Sequence, residues 1–180
     1  MKWVKISLTA ILGILVLSAA AVAVAGMGKD SNRIYTSTVI KAKPASVWPW
    51  ITKPDKIKQW VSWLVEVREE GEGEPAPGRK SVWVMEDRNN NNMRMSINGR
   101  VDTVDPYRRL AVSMHVPDSF QGTNVYTLTE QPDGSTKLES DSRYKFDNAF
   151  AKFMTPVVCW QAKKKMASDM DHMRSLIEAH

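Results

Sequence analysis

Chemistry in this chain would have to come from few residues. Its three histidines, His115, His172 and His180, are scattered, and Cys159 is its single cysteine. Metal ligands need closer and more regular spacing than that, and no Gly-rich phosphate loop or nucleophile motif is present. His115 shares its alternation phase with Ala111 and Ser113, opposite apolar Val112 and Met114, which turns it outward. His172 falls off the stripe set by Met170 and Met173. The remaining candidates are hydroxyls. In "TKLESDSRYKF", Glu139, Asp141, Arg143 and Lys145 mark a solvent face, so Leu138, Ser140, Ser142, Tyr144 and Phe146 turn inward. A strand built for packing alone would carry aliphatics there. Ser140, Ser142 and Tyr144 fit a cavity in which hydroxyls orient a bound molecule; they equally fit hydroxyls that satisfy one another or ordered water.

The elements that must position them follow from punctuation and periodicity. "RIYTSTVIKAKP" alternates, is rich in β-branched residues, and reads as a strand ended by Pro44. Pro44 then opens a short helix over "ASVWPWI", interrupted by Pro49, and Pro54 opens a second one to Trp60. Period-two segments follow at Leu64–Glu69, Lys80–Glu86, Met93–Val104, Arg109–Val116, Thr123–Thr129 and Thr136–Phe146, joined by turn-like "EEGEGEPAPG", "DRNNNN", "DPYR" and "QPDG". Such regular spacing means an antiparallel meander. From Asn148 the chain reads as one long helix: "AFAKFMTPVVCW" is apolar over more than one face, whereas Met166, Met170, Met173 and Ile177 form a narrow core stripe. The predicted class is α+β: a seven-stranded curved antiparallel sheet around a long C-terminal helix, with two short helices after strand one.

Alternation in the other strands adds inward candidates. Met95, Ile97 and Val101 oppose Arg94, Asn98 and Arg100; Val112 pairs with Met114, Tyr126 with Leu128, and Trp83 with Met85. The helix offers Phe150, Phe153, Met154, Val157 and Gln161. Trp48, Trp50, Trp60 and Trp63 cluster around the short helices, where they could close the core, touch a ligand or rest at lipid headgroups.

The N-terminal stretch "ISLTAILGILVLSAAAVAVAGMG" carries no charge between Lys5 and Lys29 and is long enough to cross a bilayer. Residues 1–28 therefore read as a transmembrane anchor or as a signal peptide cleaved near Ala23-Val24-Ala25. Both readings export the rest, and Lys2 and Lys5 place it on the extracytoplasmic side, the periplasm in a Gram-negative cell. The formal charge is +5, of which +3 lies in Lys2, Lys5, Lys29 and Arg33 against Asp30. The remaining +2 is too weak to point to nucleic acid. With one cysteine an internal disulfide is excluded, so packing must hold residues 34–180 together.

"IKAKPASVWPWITKPDKIKQWVSW", "PDGSTKLESDSRYKF" and "MASDMDHMRSLIE" resemble the opening strand and short helices, the last hairpin and the terminal helix of the helix-grip fold of the START-like (SRPBCC) superfamily. That group includes lipid-transfer, coenzyme Q-binding and polyketide cyclase/dehydrase proteins. The resemblance spans roughly Ile34 to His180 and implies a cavity between sheet and helix; the inward residues read above from alternation and from the helix, Trp83, Met95, Ile97, Met114, Tyr126, Ser140, Ser142, Tyr144, Phe150, Phe153, Met154 and Val157, are its expected lining. The expected partner is a small hydrophobic or amphipathic molecule (a lipid, quinone or polyketide-like compound), held by a monomer without cofactor or metal and tied to the membrane through the N-terminal segment. Two alternatives stay open. One is a cyclase or dehydratase in which Tyr144 and the two serines polarise an oxygenated substrate. The other is an envelope protein-interaction domain with a filled core.

Overall fold

Prolines and alternation produce the elements as read. In the computed structural model, residues 31–71, 73–87 and 91–179 are described; the apolar N-terminal stretch lies outside them. Strand β1 (Arg33–Ile40) is followed by helices α1 (Pro44–Thr52) and α2 (Pro54–Trp60), both with Pro in the first turn. There a missing N–H costs nothing, because the first turn has no intrahelical acceptor. Lys53, in extended conformation, ends α1 and begins α2, and its N–H bonds Pro49 O at 2.8 Å.

Six strands complete the sheet: β2 (Leu64–Glu69), β3 (Lys80–Asp87), β4 (Met93–Asp105), β5 (Arg109–Val116), β6 (Phe120–Glu130) and β7 (Thr136–Phe146). All pairs are antiparallel, in the order β1-β7-β6-β5-β4-β3-β2. Register shifts between Leu64 and Glu66 and between Val101 and Thr103 insert bulges, which bend strands and help the sheet curl. Helix α3 (Ala149–Glu178) starts at Asn148, whose side chain accepts the Ala151 N–H at 2.7 Å.

Packing is uneven along the concave face. The C-terminal half of α3 lies against β1, with Met170, Met173 and Ile177 buried against Ile40, Leu128 and Leu138. Each such side chain contributes about 1.5–3 kcal/mol of burial. Helices α1 and α2 close this end with Trp48, Trp50 and Trp60 at 3%, 6% and 2% exposure, and the Trp60 indole N–H donates to Trp50 O at 2.7 Å. Trp63 differs: it is 37% exposed, with the Lys165 ammonium 4.4 Å above its ring. Three of the four tryptophans are therefore end-cap core. At the opposite end the same face of the sheet is only half covered.

Candidate ligand-binding site

Register places the inward side chains in rows. Ser81, Gly99, Met114, Gly122 and Tyr144 lie side by side across β3 to β7. One row deeper are Val101, Val112, Asn124, Ser142 and Ile34, and beyond them Leu110, Tyr126, Ser140 and Thr36. On the rim side, Trp83 pairs with Ile97 and Phe120 with Phe146. Depth and polarity run together. Ser140, Ser142, Asn124 and Tyr126 are buried, whereas Trp83, Ile97, Met114, Phe120 and Phe146 are half-buried.

Two strand glycines shape this face. A Cβ on Gly122 would stand 2.7 Å from Arg143 O and 2.8 Å from Tyr144 Cδ1, so the Tyr144 ring lies across bare backbone. A Cβ on Gly99 would meet Ser81 Oγ at 2.7 Å. Phe120 packs edge-on against Tyr144, ring centroids 5.7 Å apart, and fixes that ring from the rim side.

The deep polar groups are unequally satisfied. Ser140 Oγ donates to Asn124 Oδ1 at 2.9 Å, and Thr36 Oγ1 meets Met170 Sδ at 3.0 Å. Ser142 Oγ is completely buried and, among the described residues, meets no hydrogen-bond partner. It stands beside the Tyr144 phenol without full hydrogen-bonding geometry, where it opposes the rise in the Tyr144 pKa that burial causes. Burial raises the Tyr126 phenol further, with Tyr144 and Asp169 adding to the rise. Both phenols are therefore neutral O–H groups at physiological pH. Cys159, on the buried side of α3, has its thiol pKa raised by burial and stays protonated. Asp169 is the buried carboxylate of α3 and is engaged by Ser62 Oγ at 2.8 Å and Lys165 Nζ at 3.2 Å. Among the described residues no three His, Cys, Asp or Glu side chains converge on a metal-sized site. This chemistry is that of neutral hydrogen-bond donors under an apolar rim, suited to holding an oxygen atom of an otherwise apolar molecule.

Most sequence candidates share the concave face. Trp83, Ile97, Met114, Tyr126, Ser140, Ser142 and Tyr144 lie on it, and Met95 continues it at 37% exposure. The helix candidates need correction. Phe150 is 75% and Phe153 39% exposed, while Thr155 and Cys159 are the buried residues of that half of α3. At about 3.6 residues per turn, Phe150 and Val157 fall on the side opposite Cys159. Met154 sits on the flank, half-buried. "AFAKFMTPVVCW" is apolar on two faces, and periodicity does not say which one packs. Sequence reasoning missed Asn124, Gly99 and Gly122; a glycine within an alternating strand was the signal for Gly99, whereas Gly122 lies just before the strand that alternation starts at Thr123. Two open depressions, of about 510 and 390 Å³, lie elsewhere: one by Lys41, Trp50 and Ile177, the other by Val39, Asp133 and Arg174. Charged side chains line both, and neither opens on the concave face.

Solved structures share this fold. Protein NE0264 from Nitrosomonas europaea superposes with a TM-score of 0.64 at 15% identity, covering 84% of this chain and 97% of its own. A protein from Rhodobacter sphaeroides gives 0.62 at 19%, covering 83% and 93%. DynU16, from the dynemicin biosynthetic locus, gives 0.58 at 17%, covering 82% of this chain and 47% of its own. No curated protein matches the sequence. The family model described as "Polyketide cyclase / dehydrase and lipid transport" matches residues 31–178, the entire sheet and all of α3, and the chain belongs to that family.

Proposed function

We propose that residues 34–180 form an exported ligand-binding domain, tethered to the membrane by residues 1–28, that holds a small apolar or amphipathic molecule between the concave face and α3. Candidate ligands are lipids, quinones and polyketide-like compounds. The observation that carries this reading is the gradient along one face: half-exposed Trp83, Ile97, Met114 and Phe146 at the rim, and the unpartnered Ser142 hydroxyl at depth. An apolar body would cover the rim and an oxygen atom would reach Ser142 and Tyr144. The family description, which names lipid transport, agrees with it. A cyclase or dehydratase would use the same hydroxyls to polarise a carbonyl, and the neutral Tyr144 phenol beside Ser142 is the feature that favours that second reading.

The test is displacement of a fluorescent fatty-acid probe from wild type and from Met114→Glu. A carboxylate in the middle of the glycine row should weaken binding by more than about tenfold, or 1.4 kcal/mol, with the circular dichroism spectrum unchanged. Equal affinity in a folded Met114→Glu protein would remove the concave face from consideration.

A further inference from the structure

The first half of α3 has a second apolar face that the described residues leave largely uncovered, with Val157 half-buried within it. Phe150, Phe153 and Val157 recur at helical spacing on the side away from Cys159, Trp160 stands on the adjoining flank, and Phe150 and Trp160 are 75% and 57% exposed. Val158, at 41% exposure, widens the patch. The charge along it is basic, with Asp147 just before it and Asp169, paired with Lys165, just after it. From Asn148 to Ser168 the chain carries Lys152, Lys163, Lys164 and Lys165 and no acidic residue. Lys164 Nζ lies 3.7 Å from the centre of the Trp160 ring, so cation and indole share one surface.

The position of this surface is also informative. Asn32, just before β1, accepts a backbone hydrogen bond from Tyr144 N at 3.0 Å, and Tyr144 precedes the start of α3 by five residues. The described chain therefore starts, at Ser31 and Asn32, beside the end of β7 that leads into α3.

We infer that the Phe150–Trp160 face of α3 docks on an anionic phospholipid surface, with Lys164, stacked on Trp160, at the headgroups beside the rings and Lys152 and Lys163 reaching the headgroups from the flank of the helix. Indole and long lysine stems favour that interface, and basic residues beside an apolar helix face add attraction to anionic lipid. Charge argues against other occupants. A second copy would present the same lysines, and the N-terminal stretch itself carries only Lys2 and Lys5 before Lys29, with no acid to meet them. Docking would lay α3 against the bilayer and hold the concave face close to it. That orientation, though not the docking itself, rests on the tether reading.

The test uses the full chain in a Cys159→Ser background, labelled with an environment-sensitive fluorophore at Trp160→Cys or Phe150→Cys. It is reconstituted in phosphatidylcholine vesicles with or without phosphatidylglycerol. Thr123→Cys, on the outer face of the sheet, is the control. The expected result is a shift to shorter wavelength and quenching by lipid-borne nitroxide at positions 150 and 160 only with phosphatidylglycerol, absent at 123. The shift should be lost in a folded triple variant Lys152→Glu, Lys163→Glu, Lys164→Glu. Labels that stay water-exposed in both vesicles overturn the proposal. So does burial independent of lipid, which would mean cover by the N-terminal stretch, or burial that grows with protein concentration, which would mean a second copy. Flotation in high salt reads the tether separately: a chain that leaves the vesicles there but still shows the shift in low salt fails the tether reading and keeps the docking.

Discussion

Replacing Ser142 by alanine should stabilise the free protein and weaken its hold on ligand. The Ser142 hydroxyl is fully buried with no hydrogen-bond partner among the described residues, between Asn124 and Ile34 in its row and beside Tyr144. A buried hydroxyl left unpaired costs about 1–3 kcal/mol. Alanine removes that cost and leaves a void smaller than a methyl group, so a net gain of about 1 kcal/mol is the working figure. For a domain of this size it corresponds to a rise of about 2–4 °C in Tm, or about 0.5 M in the urea midpoint. Bound to ligand, the sign reverses. A lost hydrogen bond is worth about 0.5–1.5 kcal/mol, a weakening of roughly two- to tenfold. Urea melts of residues 31–180, with and without the fatty-acid probe, read both quantities. A loss of 1 kcal/mol or more in the free protein would refute the reasoning, because it would mean that the hydroxyl is already satisfied and is structural.

The tryptophans should separate by burial. Trp60→Phe removes the donor to Trp50 O and part of a 2%-exposed indole, so a loss of about 2–3 kcal/mol is expected, whereas Trp63→Ala should stay within about 0.5 kcal/mol; both are read from the urea midpoint. Alkaline pH should destabilise the domain through Tyr126 and Tyr144. Burial raises both phenols above their ordinary value of 10.0, so above pH 10 the unfolded chain loses protons that the folded one keeps, and stability falls as pH rises. Tyr144→Phe should flatten part of that limb in melts followed against pH.

The fold was legible because its punctuation is local. Pro44 and Pro54 open the two short helices, and Leu64–Glu69, Arg109–Val116 and Thr136–Phe146 have the bounds their alternation gave. Strand β6 begins at Phe120, three residues before the alternation suggested. Gly122 reads as a break until its cross-strand partner Tyr144 is known to need the space. The inward hydroxyls of β7 were legible for the same local reason: its charges stand on alternate residues. The helix wall was not. Phe150 and Cys159 are both apolar, and only tertiary contact decides that Cys159 packs and Phe150 faces outward. Asn124 shares the inward phase of Tyr126 and Leu128, but a polar residue just inside a strand that alternation starts at Thr123 escapes notice; in the fold β7 supplies Ser140 as its donor.

Native mass spectrometry of the purified chain, and of Met114→Glu beside it, tests the central claim most directly. The account predicts a discrete added mass on wild type, released on denaturation and identifiable as a lipid, quinone or polyketide-like compound, and its absence from a folded Met114→Glu protein. The same adduct on both proteins, or a bare wild-type mass even after incubation with membrane extract, would contradict ligand binding on the concave face.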